Sequence, residues 1–128
     1  MKMEMNGYSV KFGRIAATIA VSDMTRALEF YTGAMGMKVA FSNGDPVGFA
    51  IVKRGEGELH LSFKRGHKGS TTNACHLVVS DATAFHAHCV ATGVRIIKGL
   101  KDHDYGLRDF VIADPDGNRI DIGQPLKM

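Results

Sequence analysis

The chain has 128 residues, 45% hydrophobic and 23% charged, which is the size and balance of one globular domain with its own core and argues against a disordered chain. The formal charge is only +3, and Lys53, Arg54, Lys64, Arg65 and Lys68 are interrupted by glycine and glutamate, so a nucleic-acid footprint is not expected and a mild bias toward anionic small ligands is. No apolar run approaches the roughly 20 residues that cross a bilayer, Met1 to Gly7 lack the apolar stretch of a secretory signal, and Cys75 and Cys89 are too few for a disulfide framework, so the expectation is a cytoplasmic protein with reduced thiols and no membrane or nucleic-acid partner.

Residues 1–13 read as an extension. From Ala16 the chain alternates, with Ala17, Ile19 and Val21 on one side and Ala16, Thr18 and Ala20 on the other, which is the period of a strand. The strand stops at Ser22-Asp23. Aspartate is a strong N-cap, because its carboxylate accepts the free N–H groups of a first helical turn. Ala27, Leu28, Tyr31 and Met35 then recur at helical spacing, Phe30 widens the stripe, and Gly36 supplies the stop. Strands are expected at 37–41, 47–53 and 58–64, the last two flanking Arg54-Gly55-Glu56-Gly57. Residues 65–73 are polar and glycine-containing and read as a linker.

The pattern then repeats. Ala74-Cys75-His76-Leu77-Val78-Val79-Ser80-Asp81-Ala82-Thr83 restates residues 16–25, with alanine, valine, serine, aspartate and threonine in register. Phe85, Cys89 and Val90 mark the apolar side of a second helix, closed by Gly93. Strands follow at 94–97, 107–114 and 119–123. The last two flank Pro115-Asp116-Gly117-Asn118, a strong hairpin signal. Lys101-Asp102-His103-Asp104 reads as a charged loop, either a cleft rim or plain surface. Each half is therefore βαβββ, with modules at 14–64 and 74–123 inside one domain, 1–128.

Alternation also sorts the faces. Leu59, Leu61 and Phe63 oppose Glu58, His60 and Ser62; Cys75, Leu77 and Val79 oppose Ala74, His76 and Val78; Ile120 and Ile122 oppose Arg119, Asp121 and Gly123. One face is apolar. The other mixes small groups with His60, Ser62, His76 and Asp121, as a ligand-lined sheet does and as a merely solvated face also does. Arg108 is placed either to hold an anion in its fork or to pair with a neighbouring aspartate. Phe49, Tyr105 and Phe110 are candidates for aromatic cleft walls or for core, and the alternation leaves the face of Phe110 open. His86 and His88, two apart on a helix, do not share a face and make no chelate, so His88 is expected in solvent. Ser62 has no oriented base, and no catalytic nucleophile stands out.

Asp23-Met24-Thr25-Arg26-Ala27-Leu28-Glu29-Phe30-Tyr31-Thr32 closing on Met35-Gly36-Met37-Lys38, with Asp114-Pro115-Asp116-Gly117-Asn118 near the end, resembles the vicinal oxygen chelate superfamily: glyoxalase I, extradiol dioxygenases, fosfomycin-resistance transferases and bleomycin-resistance proteins. The resemblance covers residues 14–123. It implies an α+β fold in which two βαβββ modules form a curved mixed sheet with helices on the outer face. Residues 54–62, Asp81 with Phe85-His86, and residues 105–110 look most like the bleomycin-resistance branch. That branch implies a homodimer with small-molecule clefts shared by both subunits, in which a ligand is sequestered without cofactor or chemistry. Ligand contacts are then expected from His60, Ser62, His76, Asp121, Arg108, Phe49 and Tyr105.

Metal-using relatives take one ligand from the first and last strand of each module. By register those positions are Ala16, His60, Ala74 and Asp121, and alanine has no donor atom. His76, about 7 Å along its strand from Ala74, leaves one alternative: His60, His76 and Asp121 as a two-histidine, one-carboxylate site for Zn, Ni, Mn or Fe. That site would serve a metal-dependent lyase, isomerase or dioxygenase.

Overall fold

A computed structural model describes residues 9–127. Eight strands and two helices follow in the order β1 (Ala17–Val21), α1 (Met24–Thr32), β2 (Lys38–Asn43), β3 (Phe49–Arg54), β4 (Gly57–Phe63), β5 (Asn73–Val78), α2 (Ala82–Ala91), β6 (Arg95–His103), β7 (Leu107–Ala113) and β8 (Arg119–Pro125). They form two four-stranded sheets of identical design, β1-β4-β3-β2 and β5-β8-β7-β6. In each the first strand pairs in parallel with the last, and the remaining pairs are antiparallel. Residues 9–16 carry no regular secondary structure, and residues 1–8 of the expected extension lie outside the described part.

Both helices start as the aspartates dictate. Asp23 accepts the Arg26 N–H at 3.0 Å and Asp81 accepts the Ala84 N–H at 2.9 Å. Helix α2 ends at Thr92 with Gly93 at φ +77°, and the Val94 N–H bonds Cys89 O at 2.9 Å, the wrapped-back cap that favours glycine. Helix α1 ends earlier than Gly36, at Gly33. One further turn intervenes before Gly36, at φ +66°, lets the Met37 N–H bond Tyr31 O at 2.8 Å.

The inner faces share one core. Ile19, Val21, Ala27, Tyr31, Val52 and Leu61 of the first module and Cys89, Phe110, Ile112, Ile120 and Ile122 of the second are buried in one cluster. Phe110 is therefore core, which settles the face its alternation left open. Two readings are corrected. Val90 is exposed, because the buried stripe of α2 runs through Ala82 and Cys89. Residues 101–103 are strand and not loop: β6 continues to His103 through two bulges, pairing Lys101 with Asp109 and His103 with Leu107. Bulges break the alternation from which a strand is read. No helix among the described residues is long and apolar enough to cross a membrane.

Candidate functional site

The face opposite the core, here the open face, is fixed by register. In the first sheet Thr18, His60 and Ile51 lie side by side on β1, β4 and β3, followed by Phe41 on β2. One pleat along, Ala20, Ser62 and Phe49 share the next row. Phe49 stands edge-on to His60 with ring centroids 5.6 Å apart, and Phe41 leans on Phe49 at 6.3 Å. Beyond His60, Glu58 is held by an imidazole and two cations: the His60 Nε2 lies 2.8 Å from it, Arg14 2.7 Å and Lys53 3.6 Å. The hydrogen bond from His60, then that from Arg14, brings the Glu58 carboxyl down to about 2.

In the second sheet His76, Asp121 and Val111 share a row, and Val78, Gly123 and Asp109 the next. His76 Nδ1 lies 3.2 Å from Asp121, and His103 Nε2 lies 2.6 Å from Asp109, so the two carboxyls are flanked by imidazoles. The carboxyls also meet each other. Burial and the hydrogen bond to Asp109 raise the Asp121 pKa above the usual carboxylate range, and burial would do the same for Asp109 were it not outweighed by hydrogen bonds from Asp121 and His103. Asp121 Oδ1 is buried and finds no conventional partner among the described residues. Tyr105 stacks on His103, ring centroids 4.9 Å apart and planes within 8°, and closes this end of the row. A side chain on Gly123 would press on His76 and Leu107 at 3.0 Å, so the glycine makes room for the imidazole.

Of the expected residues, His60, Ser62 and Phe49 stand together on the first sheet, and His76 and Asp121 stand together on the second with Tyr105 near them. Arg108 does not join either group. It shares its face of β7 with Phe110, and its guanidinium forks onto Asp102 at 2.6 and 3.0 Å and reaches Thr83 of α2. Glu58, Asp109 and His103 were not picked out from the sequence. Asp109 had a signal, since it alternates with Arg108 and Phe110 and falls on the face opposite theirs, but the unbroken apolar run from Phe110 to Ala113 masks it. His88, expected in solvent, is exposed yet its Nε2 lies 2.7 Å from Ala34 O, tying α2 to the first module.

Among the described residues, His60, His76 and Asp121 are not brought together as one three-ligand group within the chain. Ala16 and Ala74 supply no donor, the His60 Nε2 is turned to Glu58 and the His76 Nδ1 to Asp121, and no three His, Cys, Asp or Glu side chains converge among the described residues. A cavity of about 710 Å³ lies elsewhere, between the modules. Met35, Met37, Leu77, Val79 and Phe85 wall it, and none of the seven expected ligand residues lines it.

Two tandem βαβββ modules with paired open faces define a fold used for small-molecule binding and for metal-dependent chemistry alike. The chain belongs to the Glyoxalase/Bleomycin resistance protein/Dioxygenase superfamily, whose sequence profile matches residues 11–122. Among solved structures, TioX from Micromonospora sp. ML1 covers 90% of this chain and 100% of its own at 20% identity and TM-score 0.75. A bleomycin resistance determinant encoded on transposon Tn5 covers 89% and 98% at 21% identity and TM-score 0.76. A lactoylglutathione lyase from Agrobacterium tumefaciens covers 91% and 96% at 15% identity and TM-score 0.73. These likenesses show the fold. An uncharacterized protein of Mycobacterium bovis is 34% identical over 59 residues, 46% of this chain, and the match spans 39% of that relative's length.

Proposed function

We propose that the protein binds and sequesters a small aromatic-bearing molecule in clefts completed by a second copy, in the manner of the bleomycin-resistance branch, in the cytoplasm and without chemistry. The observation that carries this reading is the composition of the open faces. A face that is polar only because it is wet has no use for Phe41, Val78 and Tyr105, yet these stand 51%, 60% and 66% exposed beside the histidine–carboxylate pairs. Apolar platforms with a few fixed polar groups are what a binding cleft requires. Phe49 and Tyr105 supply stacking surface, His60 and His76 supply hydrogen bonds whose ring orientation Glu58 and Asp121 hold, and Ser62 adds a hydroxyl. Arg108, held by Asp102, steadies β7 against α2.

The arm before β1 favours a second copy. Phe12 and Ile15 are 90% and 94% exposed, and two bulky apolar side chains so bare on an unstructured segment are suited to packing on another surface. A twofold pair would yield two equivalent clefts.

Sedimentation velocity with an absorbing panel of aromatic antibiotics, bleomycin included, tests both parts together. The expected result is a particle of twice the 13.9 kDa chain mass that carries one absorbing molecule per cleft and loses it in Tyr105→Ala and His60→Ala. A monomer would end the shared-cleft reading. Binding that survives both substitutions and disappears in Ala84→Arg would move the site to the cavity between the modules.

A further inference from the structure

We infer that the small pocket where the linker crosses the end of the second sheet is an oxyanion subsite, built to hold a phosphate or carboxylate group between Arg95 and Arg119. Register places Arg119, Ala113 and Arg95 side by side on β8, β7 and β6, on the open face and one pleat beyond Asp121. Ala113 is buried between the two arginine positions, whose strands lie about 10 Å apart, two strand spacings, and Ile97 of β6 lines the gap with them. Ser70 and Thr71 of the linker and Gly117 of the last hairpin complete a cavity of about 280 Å³.

The two guanidiniums are available. Arg14, Arg26 and Arg108 all reach carboxylates, Glu58, Asp116 and Asp102. Among the described residues Arg95 makes no such pair, and Arg119 only donates from Nη1 to Thr71 O at 3.3 Å, leaving most of its fork open. The one acid in the wall is Asp116. Its side chain is 2% exposed; its Oδ1 accepts from the Ser22 N–H, the Ser22 hydroxyl and Arg26, while its buried Oδ2 has no hydrogen-bond partner among the described residues. Two planar forks facing one gap match an oxyanion, and their mutual repulsion is relieved when one binds.

The wall is also set in advance. The Gly69 N–H donates to Asp116 O at 2.8 Å, and a Cβ on Gly69 would fall 2.0 Å from Gly117 O, so linker and hairpin touch backbone to backbone. Ser70 Oγ accepts the Thr72 N–H at 3.2 Å and lies 2.7 Å from the Thr72 hydroxyl, which fixes the turn in which Ser70 and Thr71 line the gap. Little ordering remains to oppose binding.

The source of the oxyanion is either the anionic arm of a molecule in the cleft or free phosphate. Amide and arginine Nε–H chemical shifts, followed by NMR during titration at constant ionic strength, separate them. With inorganic phosphate, saturable shifts are expected at Ser70, Thr71, Gly117, Arg95 and Arg119, weakened about tenfold or more in Arg95→Gln and in Arg119→Gln and unchanged in Lys127→Gln. Phenyl phosphate that binds more tightly and also shifts Tyr105 or Val111 identifies the arm of a cleft ligand; equal affinity identifies free phosphate. Shifts spread over the basic surface, or unchanged in both glutamine variants, would overturn the subsite. The result is separable from the sequestration reading, because antibiotic binding can be lost while the phosphate shifts persist, and the reverse.

Discussion

Two carboxyls of the open faces respond to acid in opposite senses. Glu58 is lowered from an ordinary 4.5 to about 2 by its hydrogen bonds to His60 and Arg14. Its contribution to stability is full above pH 4.5 and is lost as pH falls toward 2. Asp121 is raised by burial and by Asp109, so the folded state holds its proton more firmly than the unfolded chain does. Ionising it on the way to neutral pH therefore costs stability, and the cost vanishes below its unfolded pKa. Urea unfolding should find Glu58→Gln less stable than the parent at pH 7 and equal to it near pH 2. Asp121→Asn should be more stable than the parent at pH 7, with the gain gone near pH 3. The reverse order would mean that the Asp121 carboxyl is not raised in the folded protein. Alternation alone made His60, Ser62, His76 and Asp121 legible as one face of each sheet. Arg108 was not legible, because β7 is apolar on both faces from Phe110 onward and the parity that puts Arg108 beside Phe110 is visible only once Phe110 is known to be core.

At the scale of elements, the starts of both helices were written in Asp23 and Asp81, since an N-cap acts on its own next three residues and needs no tertiary context. The far end of β6 was not. Lys101, Asp102 and His103 belong to a strand because β7 pairs with them, and pairing partners are not a local property of sequence. The linker is the subtler case: read as a polar connection, it is seated on the last hairpin by the Gly69 N–H to Asp116 O bond, by His67 on Asn118 and by the close approach of Gly69 to Gly117. Gly69→Ala should therefore cost at least about 2 kcal/mol, as overpacking against fixed backbone does, although alanine elsewhere in a loop is commonly neutral or stabilising. Chemical denaturation checks the figure. Gly66→Ala is no substitute control, because Gly66 holds φ +72°; Gly99→Ala, with open space around its Cα, is expected to change little.

The whole molecule is held by what crosses between its halves. The Tyr31 hydroxyl donates to Asp114 Oδ2 at 2.8 Å inside the core, Asn118 Nδ2 donates to Ala20 O at 2.9 Å, and Asp116 receives Ser22 and Arg26. With the apolar core continuous across the same boundary, calorimetry should record one transition whose calorimetric and van't Hoff enthalpies agree; two resolved peaks would show the modules melting separately. The βαβββ repeat was legible because it is written twice, whereas these ties were not, each joining residues far apart in the chain. They also change what counts as an interchangeable part. A chimera that takes one module from a relative inherits half of a seam: Ser22, Arg26 and Tyr31 on one edge answer Asp114, Asp116 and Asn118 on the other. Grafts cut at the linker should fold when both edges come from the same parent, and recombination among such proteins should tolerate exchange on the open faces far more readily than exchange along that line.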